Sequence, residues 1–137
     1  MRSPIYLLFA SLGVVGIAAA LGLAPSSAAQ GSGFRNAPAS AAEMQNPYQG
    51  AAAASAGKKL YAQNCAQCHG ANLQGMGPAP PLDSASAKKA KPGELFWFIS
   101  KGKVESGMPS WEGLPKQQRW QIVVFLESRM NSKTEAK

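Results

Sequence analysis

The chain has 137 residues, room for one small domain once an exported leader is set aside. Fourteen basic residues against seven acidic ones give a formal charge of +7. The lysines are scattered in twos and threes with no recognisable binding module, which excludes a nucleic-acid reader. Two cysteines and one histidine exclude a disulfide-framed scaffold and leave too few ligands for a structural zinc site.

No charged residue occurs from Ser3 to Gly33, and Arg2 precedes the apolar run Ile5 to Leu23. Small residues follow, and Ser27-Ala28-Ala29 fits a signal peptidase site. Residues 1–29 are therefore expected to be a signal peptide cleaved after Ala29. The run is also long enough to span a bilayer, so an uncleaved membrane anchor is the alternative. Either outcome puts the rest of the chain outside the cytoplasmic membrane. Residues 30–49 are rich in Ala, Gly, Ser and Pro and are expected to form a flexible linker.

Residues 50–131 form the expected domain, and 132–137 a polar tail. A domain under about 90 residues has a marginal core and needs a staple or a buried ligand. Its first helix is expected from about Gly50 to Asn64. Gly57 and Tyr61 share one face of it, and a glycine inside a helix points to the close approach of another backbone.

The second helix is expected over Pro92 to Lys101. Pro92 suits the first helical position, Glu94 the electropositive first turn, and Gly102 the C-terminal cap. Leu95, Phe98 and Ile99 form an i, i+3, i+4 stripe that Phe96 and Trp97 widen. The third helix is expected from Pro115 to about Met130, with Ile122, Phe125 and Leu126 on its inner side. Leu114 before it is a poor N-cap. The connecting segments carry Gly75, Gly77, Pro78, Pro80 and Pro81, then Gly107, Pro109 and Gly113. No alternating stretch is long enough to argue for a strand.

Cys65-Ala66-Gln67-Cys68-His69 has the Cys-x-x-Cys-His spacing of a c-type haem attachment site. Two thiols at that spacing bond the two vinyl groups on one porphyrin edge. The next residue, His69, then lies under the iron as proximal ligand. Because His69 is the only histidine, bis-histidine ligation within one chain is excluded.

The chain resembles the class I cytochromes c over about residues 50–131. The resemblance rests on Gly57-x-x-x-Tyr61-x-x-x-Cys65-x-x-Cys68-His69-Gly70 and Gly77-Pro78-Ala79-Pro80-Pro81-Leu82. It continues with Ile99-x-x-Gly102, then Gly107-Met108-Pro109-Ser110-Trp111, then the last apolar helix. It implies an all-α class I cytochrome c fold, with three main helices wrapped around one covalently bound haem c. Gly57 and Tyr61 should then meet Ile122 and Phe125 where the first and last helices cross.

It also implies Met108 as the distal metal ligand opposite His69, with Met76 the runner-up. A proline carbonyl should orient His69. Pro80 fits best, with Pro78 and Pro81 open alternatives. Leu82, Leu95, Phe98, Ile99 and Trp111 are expected to wall the haem crevice that Cys65 and Cys68 anchor.

The function expected is that of a periplasmic mono-haem carrier of single electrons, not an enzyme in itself. Its partners would be redox proteins with acidic docking surfaces, met by Lys58, Lys59, Lys88, Lys89, Lys91, Lys101 and Lys103. One alternative is an electron-transfer subunit of a larger dehydrogenase or oxidase complex. Another is a haem enzyme that reduces a small ligand.

Overall fold

The computed structural model describes residues 36–132. The apolar leader and its cleavage site lie outside them, as do residues 133–137 of the tail. Among these residues six α-helices follow one another: α1 (Ala39–Ala42), α2 (Gly50–Asn64), α3 (Ala66–His69), α4 (Ala85–Lys89), α5 (Pro92–Lys101) and α6 (Lys116–Ser132). A 3-10 turn spans Val104–Ser106. Among the described residues the only β pairing is two isolated bridges, Met76 with Ala79 and Lys103 with Met108. No helix among these residues is long and apolar enough to cross a membrane.

α2 and α6 form the main packing pair, and α5 packs beside α6. Gly57 is where α2 and α6 touch. A methyl group added there would overlap the Gln121 carbonyl and sit 3.0 Å from Phe125 Cβ. One turn further on, the Tyr61 ring lies 5.2 Å from the Phe125 ring. The crossing expected at Gly57 and Tyr61 is therefore present, with Gln121 and Phe125 as its contacts.

α5 begins as its sequence implies. Pro92 opens it, and the Glu94 carboxylate accepts the Lys91 backbone N–H at 2.7 Å. That satisfies a donor the helix itself leaves free. Leu95, Phe96, Phe98 and Ile99 are all buried. Phe96 stacks on Trp120 of α6 with centroids 4.1 Å apart. The buried Trp120 Nε1–H has no acceptor among the described residues. Such an orphan costs about 1–3 kcal/mol, which burial of a large aromatic offsets.

α6 starts at Lys116, one residue later than the proline suggests. The Pro115 carbonyl accepts the Arg119 N–H at 3.2 Å. Leu114 acts as no cap. It tucks its side chain against the core and lends its carbonyl to Arg119 Nε at 3.1 Å.

Residues 36–49 are not a free linker. Ala41 is 2 % exposed, and Met44 and Tyr48 pack against the core cluster. α1 contacts α5, and Asn46 donates to the Trp120 carbonyl at 3.3 Å. The Asn46 side chain also accepts the Tyr48 N–H at 2.9 Å, which makes a turn in the segment. Small residues made this stretch look unstructured, and long-range contacts order it.

Candidate functional site

Cys65 closes α2, with its N–H bonded to the Tyr61 carbonyl at 2.8 Å. The chain turns there into the short α3. His69 ends α3, and its N–H returns to the Cys65 carbonyl at 2.9 Å. The attachment motif is thus one turn of helix hung on the end of α2. Cys65 is half-buried, Cys68 is exposed, and neither is in a disulfide. Burial, with the Cys68 thiol beside it, pushes the Cys65 thiol up to about 11. Such a shift favours the protonated thiol at neutral pH.

The residue after His69 is tied back to α2. The Tyr61 hydroxyl donates to the Gly70 carbonyl at 2.7 Å within the core. Burial, with Cys65 adding to it, pushes the phenol above its usual range, so it remains a donor. The loop then folds under the histidine. Gly75 N–H reaches the His69 carbonyl at 2.9 Å, and Leu82 N–H reaches the Leu73 carbonyl at 2.8 Å. Leu73 is wholly buried with φ 67°, and no other non-glycine residue among those described has positive φ. The left-handed backbone costs about 1–2 kcal/mol, and burying a leucine returns about 1.5–3 kcal/mol. Leu73 was missed in the sequence. Its one signal is a lone large apolar residue between Asn72 and Gln74.

This folded loop brings Pro80 to His69. The Pro80 carbonyl lies 3.0 Å from Nδ1. A carbonyl can only accept, so Nδ1 carries a proton, and in the neutral imidazole that tautomer leaves the lone pair on Nε2. That is the arrangement a metal-ligating imidazole needs. Pro80, rather than Pro78 or Pro81, makes the bond.

Met108 lies on a second loop and is half-buried. Its main chain pairs both ways with Lys103, at 2.9 and 3.1 Å. Gly102, with φ 68°, lets this loop close on the end of α5. A side chain there would come within 2.6 Å of the Met108 carbonyl and 2.5 Å of Pro109. Trp111 N–H bonds to the Ile99 carbonyl at 3.1 Å. Of the other methionines, Met76 is 54 % exposed, Met130 is buried in the core, and Met44 packs against that core.

Among the expected wall residues, Leu95 and Ile99 belong to the core cluster, and Leu82 and Trp111 pack against it. Phe98 is buried and meets Trp97 edge-on at 5.0 Å. Lys101 is not a free docking charge, since its ammonium holds the Glu112 carboxylate at 2.7 Å. That hydrogen bond, with the lysine's charge, keeps the Glu112 carboxyl below its usual range.

A cleft of about 500 Å³ between residues 45–54 and α6 contains none of these groups. The Glu127 carboxyl there is pushed up by burial. The site is therefore defined by its donors rather than by that cavity. Among the described residues no three His, Cys, Asp or Glu side chains converge on one metal position. Two free thiols, an imidazole with Nε2 available and a thioether on a separate loop suit a macrocycle attached at its edge and ligated at its centre.

The family model described as "Cytochrome C oxidase, cbb3-type, subunit III" matches residues 52–126. The match begins in α2 and ends in α6, and so takes in both loops. No curated protein matches the chain closely enough to count as a relative.

Proposed function

The chain belongs to the family of c-type cytochrome domains described as subunit III of cbb3-type cytochrome c oxidase, a class I cytochrome c fold. From that premise we propose that it carries single electrons outside the cytoplasmic membrane, with its iron ligated by His69 and Met108. Family membership makes the cofactor a covalent haem c, and Cys65 and Cys68 have the spacing to attach it. The haem supplies a one-electron Fe(III)/Fe(II) couple.

The observation that carries this reading is the Nδ1–H of His69 donating to the Pro80 carbonyl. It fixes the imidazole's tautomer and ring plane and raises the basicity of Nε2. Met108 brings a neutral, soft thioether, which favours the reduced state and raises the potential. If His69 and Met108 both hold the iron, the protein would leave it no free place for a substrate. Cys65 and Ala66 pack against the core cluster, so that side of an attached haem would lie against apolar groups, which limits solvent reorganisation there. Lys58, Lys59, Lys88, Lys89, Lys91 and Lys103 give the surface a positive field that attracts acidic partners.

The family's description favours a second setting for the same chemistry, as an electron-transfer subunit bound to an oxidase. Co-purification of an oxidase core after gentle detergent extraction supports that setting. Recovery of the cytochrome alone supports a free carrier.

The test of the ligation is the spectrum of the oxidised holoprotein. A weak far-red band from sulfur bonded to iron, with azide binding only slowly, is the result expected. No such band, together with immediate azide binding, would instead indicate an open iron and a small-ligand enzyme.

A further inference from the structure

The end of α5 carries a polar arrangement that the haem motif does not require. Ser100 is 4 % exposed and is the one buried polar residue among those described. Its hydroxyl donates to the Phe96 carbonyl at 2.7 Å and accepts a hydrogen bond from the Arg119 guanidinium. Its carbonyl, in the last turn of α5, has no partner within the helix. The Ser110 hydroxyl fills that role at 2.6 Å. Ser110 lies two residues beyond Met108, on the loop that Gly102 allows to close.

Arg119 comes from the first turn of α6. Its Nε–H bonds to the Leu114 carbonyl, and its guanidinium carbon sits 4.9 Å from the Phe96 ring centre. Its field reaches Glu112, yet its hydrogen bonds among the described residues go to uncharged groups. A half-buried cation with no ion pair among the described residues is costly to keep. What Arg119 grips is the residue whose other face holds the Met108 loop.

We infer that Arg119, acting through Ser100 and Ser110, is a positioning residue that holds the Met108 loop closed. It thereby controls how readily the thioether yields its place to an incoming ligand. This rests on Met108 being the distal ligand. Opening the loop must break the Ser110–Ser100 bond and the Trp111–Ile99 bond. A loosened Ser100 weakens the first of these without touching the methionine.

The test is an imidazole titration of the oxidised holoprotein, comparing the natural protein with Ser110→Ala, Arg119→Gln, Ser110→Thr and Met108→Ala. Ser110 is at the surface, so its alanine variant folds. All variants except Met108→Ala should keep the far-red band before ligand is added. Ser110→Ala and Arg119→Gln should each raise imidazole affinity and its limiting binding rate about five- to tenfold, the effect of one hydrogen bond. Ser110→Thr, which keeps the hydroxyl, should restore the natural values.

Unchanged imidazole binding in both variants, with only a lowered melting temperature, would overturn the inference and leave a structural role. If the natural protein lacks the band and Met108→Ala changes nothing, Met108 is no ligand and the inference falls with it.

Discussion

Replacing Gly57 with valine is expected to leave almost no haem-loaded protein. The added Cβ would fall on the Gln121 carbonyl, a backbone group in the middle of α6 that no rotamer change can move. Overpacking a core with side chains that can adjust costs about 1–3 kcal/mol. Here two helix backbones must part, so the cost lies at or beyond the top of that range.

A domain of this size has about 5–15 kcal/mol in all. Separating α2 from α6 also breaks the Tyr61–Phe125 contact and displaces the Tyr61–Gly70 bond that seats His69. Gly57→Ala adds that Cβ and nothing more; it should fold, with its unfolding free energy lowered by about 3 kcal/mol or somewhat more in a urea titration. Visible absorbance per mole of protein reports the valine variant. Natural haem loading and an unchanged urea midpoint in Gly57→Val would contradict the packing described for α2 and α6.

Met108→Ala is expected to act on the iron and spare the fold. On the proposed ligation it would remove the thioether that holds the iron opposite His69 and would open that place to water or an added ligand. The far-red band should vanish, and azide should bind without delay. The potential should fall by on the order of 0.1 V or more, within the roughly 0.8 V that axial ligands span. Loss of the soft ligand favours the oxidised iron.

The covalent bonds are untouched, so the purified protein should remain coloured. Met76→Ala is the control. Met76 is largely exposed and held in a separate bridge with Ala79, and its removal should change neither band nor potential. A potential that drops in Met76→Ala and holds in Met108→Ala would reverse the assignment.

Where local chemistry determines structure, the sequence could be read closely. Helix α2 and helix α5 run over the residues expected, because Gly50, Pro92 and Gly102 punctuate the chain at their ends. The haem motif was equally legible, since its thiols and imidazole lie within one turn. Pro80 could be chosen only through family resemblance, because three prolines stand close together and the loop's path decides which one reaches Nδ1.

Long-range contacts were the hidden part. Ala41, Met44 and Tyr48 lie in a stretch whose composition resembles a tether, and only their packing on the core shows otherwise. Leu73 adopts a backbone conformation that leucine avoids, and its burial becomes evident only once the loop is closed. Ser100 and Arg119 are nineteen residues apart and belong to no motif. A serine on a greasy helix gives no sign that it holds two other segments together. The lysine pair Lys101 and Lys103 looked alike, yet one is committed to Glu112.

Every role given to His69, Pro80 and Met108 depends on one haem bound covalently through Cys65 and Cys68. The intact mass of the purified protein, measured after acid denaturation and solvent extraction, tests it directly. The expected result is a polypeptide heavier than its amino acids by one haem, with the colour staying on the protein. A mass equal to the polypeptide alone, with the pigment in the solvent, would contradict it.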